Sequence, residues 1–241
     1  MTTDRRTRIL SQLYPTGGTD LDAVHLGRVC AEFIGVTGAG LMLITDDVPR
    51  GSVATTDEVS TLIEDLQFAL SEGPCVDAYH HDRPVLEPDL ANPAVSRWVA
   101  FTPPAVEAGA RAIFGFPLRV GAVRLGAMNL YRDQPGVLTE EQHADALVMA
   151  DVAAQALLIM QAGAPPGVLA AELQAGSNFQ HVVHQASGMV AVQLGVNVAQ
   201  ALIRLKGYAF GHDRTLTEVA QDVVARRLRF TDDPDGDDSA D

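Results

Sequence analysis

The sequence predicts an α+β fold, in which an antiparallel sheet flanked by helices is followed by an all-α module of three helices. Short apolar runs joined by tight turns, at 40–54 and 112–131, are typical of antiparallel hairpins. Apolar residues at helical spacing precede, separate and follow these runs. Gly and Pro dominate residues 163–167, and every pattern after this break is helical.

The first part of the chain predicts a short N-terminal helix or arm over 1–19 and then a domain over 20–162. Apolar spacing indicates a helix at 20–36. The run Gly-Leu-Met-Leu-Ile at 40–44 predicts a buried strand, and residues 51–54 are expected to be its hairpin partner.

Two further helices of this domain are predicted from capping-box patterns, in which two side chains near a helix start satisfy each other's backbone amides. Thr55 with Glu58 predicts a helix over 57–70, and Thr139 with Gln142 predicts a long helix over 140–161. Between them we expect a short helix within 71–81, an irregular proline-rich stretch with one helical turn, and strands at 112–119 and 122–131.

After a linker at 163–167, residues 168–230 predict three helices and residues 231–241 an acidic, disordered tail. Asn197 with Gln200 predicts the start of the second helix, and Thr215 with Glu218 the start of the third, which should extend to about 228. The predicted boundary between the two domains is therefore the Pro-Pro linker.

The net charge of −14 argues against a protein devoted to duplex DNA, because Lys and Arg neutralise the phosphates in such complexes. The charge is uneven along the chain. Residues 1–167 hold 11 Arg and 21 acids, residues 168–230 hold six bases and four acids, and residues 231–241 hold six Asp. The segment 168–230 is therefore mildly basic between two acidic regions.

No secretory signal and no membrane span are read from the sequence. The two cysteines, Cys30 and Cys75, are too few for a disulfide framework or a four-thiolate zinc site, so we expect a reduced, cytoplasmic protein. The nucleophile-elbow, Walker and metalloprotease motifs do not occur. We therefore expect no enzyme, no catalytic residue, no bound metal and no cofactor.

The three-helix segment resembles the ANTAR module of bacterial antitermination regulators over about 168–228. Three sets of residues carry the resemblance: Ala186, Gly188 and Met189 with Leu194-Gly195-Val196 in the first helix; Ala201 and Leu202 in the second; Leu216, Val219, Ala220 and Val223 in the third. The resemblance implies a three-helix module that acts as a dimer and binds paired RNA hairpins, so that transcription continues past a terminator.

RNA contacts in this segment are expected from its bases and one histidine, which are Arg204, Lys206, Arg214, Arg226, Arg227, Arg229 and His184. The ANTAR pattern usually has a lysine where Ser187 stands and an arginine where Gln180 stands. These two differences leave open a second interpretation, in which the module serves dimerisation or protein interaction without RNA binding.

The domain at 20–162 resembles a GAF domain, a small-ligand and partner-sensing fold, through LSEGPC at 70–75, AIFGFPLRVGAVRLGAMNLYR at 112–132 and the long closing helix. The resemblance implies a cavity for an unknown small ligand or a surface for a protein partner. The residues that could line the cavity, or alternatively form the core, are Trp98, Phe101, Phe114, Phe116, Met128, Tyr131 and Cys75. Cys75 could also be a reactive thiol or a small buried hydrophobe.

Together the two resemblances predict an actinobacterial GAF-ANTAR type of regulator. It would be a homodimer in the cytoplasm, with a sensor that controls an RNA-binding module. The alternative prediction is a signalling adaptor.

Overall fold

The computed structural model describes residues 2–14, 22–45, 48–163, 178–212, 214 and 216–231. Contacts divide the chain into two compact units, Met1–Gly176 and Ser177–Asp241. The predicted linker after Gly163 and the predicted tail after Thr231 lie outside the described residues.

The first unit contains helices α1 to α6 and strands β1 to β5. In chain order they are α1 (Thr2–Leu13), α2 (Ala23–Ile34), β1 (Gly38–Thr45), β2 (Val48–Thr55), α3 (Glu58–Leu70), α4 (Pro74–His81), β3 (Val85–Glu87), α5 (Thr102–Glu107), β4 (Ala112–Val120), β5 (Val123–Arg132) and α6 (Glu140–Gly163).

The five strands form one sheet in the order β2-β1-β5-β4-β3, and every neighbouring pair is antiparallel. This confirms the predicted antiparallel sheet flanked by helices. Strand β3 lies in the stretch that the sequence predicts to be irregular. It has only three residues and is defined by its pairing with β4, which a local sequence pattern does not reveal.

The two faces of the sheet carry separate apolar clusters, because successive side chains of a strand point to opposite faces. Phe114, Phe116 and Met128 pack with residues of α1, α2 and α6. On the other face, Ile113 and Tyr131 pack with residues of α3, α4 and α5. The N-terminal helix α1 contributes Ile9 and Leu13 to the first cluster, so it is part of the core of this unit.

The start of α3 differs from the predicted capping box. The Asp57 carboxylate accepts the Ser60 N–H at 2.7 Å, and Ser60 Oγ accepts the Asp57 N–H at 2.9 Å. The prediction of a Thr55–Glu58 box is wrong because Thr55 still belongs to β2. The predicted box at α6 is confirmed, since Thr139 and Gln142 exchange two hydrogen bonds of 3.1 Å.

The second unit contains α7 (Asn178–Leu194), α8 (Val198–Gly211) and α9 (Leu216–Val224). The predicted capping box at Asn197 and Gln200 is present, whereas Thr215 lies outside the described residues. Helix α9 ends four residues earlier than predicted, where Arg226 adopts a left-handed conformation with φ 61°. The core of the second unit includes the fully buried residues Val183, Ala186, Val190, Ala201, Leu205, Val219, Ala220 and Val223.

Among the described helices, α6 alone is long and apolar enough by composition to cross a bilayer. Half of its apolar window is buried against the rest of the unit. Ala146, Met149, Ala153 and Leu157 line that buried side.

Candidate functional site

The seven residues predicted to line a ligand cavity are all buried, but they do not lie together. Trp98, Phe101, Tyr131 and Cys75 belong to the cluster under α3, α4 and α5. Phe114, Phe116 and Met128 belong to the cluster on the opposite face of the sheet. The structure therefore separates them into two groups, and the first group lies beside a set of polar side chains that the sequence did not single out.

Asn129 is at the centre of this set of polar side chains. On the middle strand β5 it pairs with Gly40 of β1 on one side and with Gly115 of β4 on the other. A Cβ at Gly40 would collide with the Glu64 carboxyl, and one at Gly115 would collide with the backbone of Pro74. The two glycines thus let α3 and the start of α4 approach the sheet on either side of Asn129.

Three polar side chains are buried where the helices meet the sheet. Glu64 and Asn129 are each 1% exposed, and Gln67 is fully buried. Gln67 Oε1 accepts the Cys75 N–H at 2.7 Å. By distance and angle, the two Glu64 oxygens, Gln67 Nε2 and Asn129 Oδ1 have no hydrogen-bond partner among the described residues, although the Asn129 amide lies close enough to Glu64 to act on its pKa. Buried polar atoms normally have partners, so this cluster has unused capacity for hydrogen bonding.

Electrostatics of the cluster favour the neutral form of its acids. Burial raises the pKa of the Glu64 carboxyl to about 8; the nearby Asn129 amide opposes the rise, and the charge of Asp65 adds to it. Burial also raises the pKa of Asp65 to about 7. Burial and the neighbouring Glu64 raise the pKa of the Cys75 thiol well above its usual range. Glu64 therefore carries a proton near neutral pH, and Cys75 packs as a neutral thiol.

The segment 88–101 packs on the same side of the sheet and is held by carboxylates. The indole N–H of Trp98 donates to Asp77 Oδ2 at 3.0 Å. Glu72 Oε1 accepts the N–H groups of Ala100 and Phe101 at 3.0 and 3.3 Å. Arg97 reaches Glu87 at 3.3 Å, and its guanidinium lies 4.5 Å from the Trp98 ring centroid. Two backbone hydrogen bonds add to these contacts: the Leu90 N–H donates to the Arg111 carbonyl at 2.7 Å, and the Gly136 N–H donates to the Pro88 carbonyl at 2.8 Å.

The residues predicted for RNA binding fall into different environments in the second unit. Arg214 and Arg227 both pair with Asp222, and Arg214 first and then Arg227 hold the pKa of that carboxyl below its usual value. Burial lowers the pKa of Lys206 to about 8. Arg204, Arg226 and Arg229 are exposed, and His184 is half-buried on α7. Arg214 and Arg227 are therefore brought together at Asp222.

The position where the ANTAR pattern has a lysine faces the interior. Ser187 is 1% exposed, and its Oγ donates to the Val183 carbonyl at 2.7 Å. A base at this place on α7 would have to leave the core to reach a phosphate. The side chain of Gln180 lies outside the described residues.

Sequence reasoning missed Glu64, Gln67 and Asn129, although a signal was present. Glu64 and Gln67 are three residues apart and therefore lie on one face of α3. Both share that face with Ile63 and Phe68, which are buried. In β5, Asn129 points toward the core from a face whose other residues are apolar. Polar residues at positions that a periodicity assigns to the core mark such a cluster.

Comparison with known proteins identifies the first unit. The GAF domain family model matches residues 24–158. The GAF domain of a Coxiella burnetii phosphoenolpyruvate-protein phosphotransferase is similar, with a TM-score of 0.50 and 15% identity over 67% of this chain and 98% of that chain. The corresponding Acinetobacter domain gives a TM-score of 0.48 and 12% identity, over 67% of this chain and 96% of that one.

A type II free methionine-R-sulfoxide reductase from Thermoplasma acidophilum is also similar, with a TM-score of 0.41 and 15% identity over 65% of this chain and 94% of that chain. No curated protein sequence matches the chain. The family model covers more than half of the 241 residues, and the Coxiella domain has the same fold as the sheet and helices described above. The chain therefore belongs to the GAF domain family.

Proposed function

We propose that the protein is a cytoplasmic transcription regulator, in which the GAF domain senses a small ligand and controls RNA binding by the helical unit at 178–231. The observation that carries the sensing role is the buried cluster of Glu64, Gln67 and Asn129, whose hydrogen-bonding capacity is unused. The RNA-binding role rests on the resemblance of 168–228 to the ANTAR module and implies action by antitermination.

Charge in the helical unit supports the RNA-binding half of the proposal. Residues 178–211 contain no Asp or Glu, in a chain whose net charge is −14. Arg204 is exposed on α8, and Phe210 of the same helix is 75% exposed. An arginine can neutralise a phosphate, and an exposed aromatic ring can stack on an unpaired base. This stretch is thus the part of the described chain best suited to RNA.

Filter binding of the full chain to an RNA with two hairpins, at two salt concentrations, tests this role. We expect affinity to fall as salt rises, and Arg204→Ala to reduce the slope by about 0.7–0.9, the change expected for one phosphate contact. Gln221→Ala, which changes an exposed neutral residue of α9, is the control and should leave the slope unchanged. Absence of binding at low salt would contradict the RNA-binding role.

The second candidate function is an adaptor that uses the helical unit for dimerisation or protein interaction. Exposed apolar side chains in this unit favour the adaptor function: Val192, Ile203 and Phe210 are 84%, 67% and 75% exposed. Light scattering distinguishes the two: a dimer that Phe210→Ala dissociates, together with no RNA binding, supports the adaptor. Homodimerisation itself is compatible with both functions.

We further propose that the protein is not an enzyme. The sulfoxide reductase shows that a related fold can support catalysis, but a thiol reacts as its thiolate, and the pKa of the buried Cys75 is raised. We expect Cys75→Ala to leave any sulfoxide reduction at the background rate of the wild type. Reduction above background that is lost in Cys75→Ala would contradict this proposal.

A further inference from the structure

The buried cluster of Glu64, Gln67 and Asn129 also indicates the chemistry of the ligand. We infer that this cluster recognises a compact cation rich in N–H donors, such as an amidinium or guanidinium group. The inference rests on the proposed sensing function and specifies its ligand class. It depends on which hydrogen-bonding atoms the cluster leaves unused and on their charge.

The unused atoms are mainly acceptors. Both Glu64 oxygens and Asn129 Oδ1 lack a partner, whereas Gln67 Nε2 is the one unpartnered donor of the cluster. An ionised carboxylate can accept two parallel N–H groups from a planar cation. An anionic ligand would meet Glu64 and the adjacent Asp65 instead of a base. Once Glu64 is ionised, the unused acceptors outnumber the one unused donor, and this balance favours an N–H donor with positive charge.

The surroundings of the cluster suit a flat cation. Gly40 and Gly115 have no side chains on either side of Asn129, and the Glu64 carboxyl and the Pro74 backbone pack into the space above them. Tyr131 lies two residues further along the same face of β5 and belongs to the cluster that includes Trp98 and Phe101. Aromatic faces attract cations, and this attraction increases when water is excluded. The segment 88–101 contributes Leu90, Trp98 and Phe101 to this cluster.

A bound cation would change the protonation of Glu64. Near neutral pH the carboxyl is protonated, and its O–H bond would break when the cation arrives, with the proton passing to solvent. The other titratable groups that face Glu64 are Asp65 on its own helix and Cys75 on α4. Strands β1 and β5 present Gly40 and Asn129, which do not titrate. Binding should therefore release about one proton, and affinity should rise up to tenfold per pH unit below pH 8.

The experiment compares acetamidinium chloride with acetamide, a neutral molecule of the same shape, as probes of the full-length protein. Calorimetry in two buffers of different ionisation enthalpy measures affinity and proton release at pH 6 and 7. Fluorescence of Trp98, the only tryptophan, reports on the segment 88–101. We expect millimolar binding of acetamidinium, release of about one proton, and at least tenfold weaker binding of acetamide.

Glu64→Gln should abolish the preference for acetamidinium and the proton release, and Asn129→Ala should weaken binding several-fold. Glu107→Gln, which neutralises an exposed carboxylate of α5, is the matched control. Equal affinity for the two probes, pH-independent binding, or unchanged binding by Glu64→Gln would overturn the ligand class. Binding of a neutral or anionic fragment that Asn129→Ala weakens would also overturn it, while leaving the sensing function intact. A bound ligand of any class that leaves RNA affinity unchanged would instead contradict the proposal that the GAF domain controls RNA binding by the helical unit.

Discussion

Glu64 shows how a single side chain can link the stability of this domain to pH. In the folded state its pKa is about 8, whereas an exposed glutamate has a value near 4.5. Between these two values the folded protein holds a proton that the unfolded chain has lost. Stability must therefore fall as pH rises through this window, by up to about 1.4 kcal/mol per pH unit for this group.

Glu64→Gln should remove this loss, because glutamine is neutral at every pH. We expect the variant and the wild type to be similarly stable at pH 5 and the variant to be more stable by about 1–3 kcal/mol at pH 8. Asp65 should leave a smaller residual slope in both proteins, since its pKa is also raised. Urea unfolding followed by Trp98 fluorescence measures the GAF domain; Glu107→Gln should keep the wild-type slope. Parallel curves for Glu64→Gln and wild type would show that Glu64 is ionised in the folded protein.

Asp222 is the residue that limits the positive charge of the helical unit. It pairs with Arg214 and Arg227, and so neutralises two of the arginines expected to contact RNA. Asp222→Asn should raise RNA affinity at low salt and steepen the salt slope by up to about 1.4–1.8, the contribution of two phosphate contacts. Asp151→Asn removes the same charge from the exposed face of α6 and is the control. An equal gain in both variants would show that only net charge matters.

Elements of the fold begin and end where side chains satisfy backbone groups. Helices α3, α6 and α8 each start at a capping box. The segment 88–101 uses the same chemistry in a different way, since Glu72 accepts two of its backbone N–H groups. Carboxylates from α4 and its neighbours therefore add to the backbone hydrogen bonds and apolar contacts that position this segment.

Glu72→Ala should loosen this segment without unfolding the sheet. Two partly buried N–H groups would lose their acceptor, at a cost of about 1–3 kcal/mol. We expect acrylamide to quench Trp98, which is 4% exposed in the folded protein, more efficiently in the variant. Glu107→Ala should leave quenching unchanged. Quenching that stays at the wild-type level in Glu72→Ala would show that Asp77 and the apolar contacts of Trp98 suffice.

Along the whole chain, acidic regions precede and follow the helical unit in sequence. The six Asp of 231–241 directly follow Arg226, Arg227 and Arg229. Opposite charges this close in sequence attract at low salt, and the attraction is screened within about 8–10 Å at 0.10–0.15 M salt.

Deletion of 231–241 should therefore raise RNA affinity several-fold at about 50 mM salt, because the tail competes with RNA for these arginines. The difference should vanish near 0.5 M salt, where screening is strong. A filter-binding titration of the two proteins at both salt concentrations measures it. Unchanged affinity at low salt would mean that the tail does not compete with RNA.

Much of the architecture could be predicted from local patterns. The hairpins and the long helix α6 depend on residues close together in sequence. The same is true of the capping boxes at α6 and α8, which are two of the three boxes in the described residues. Strand β3 was missed because its three residues are defined by a distant partner. Glu64, Gln67 and Asn129 were not predicted; of the residues predicted to line a cavity, Trp98, Phe101, Tyr131 and Cys75 share one cluster, and the sheet separates them from Phe114, Phe116 and Met128.

Periodicity, turn residues and charge are local properties, so the amino-acid sequence was enough to predict the antiparallel α+β class and the basic segment between two acidic ones. Which polar groups are buried together depends on contacts between distant parts of the chain. Glu64 and Asn129 are 65 residues apart, and they meet because Gly40 and Gly115 let α3 and α4 approach the middle of the sheet. Burial and the resulting pKa depend on that contact, which no local pattern encodes.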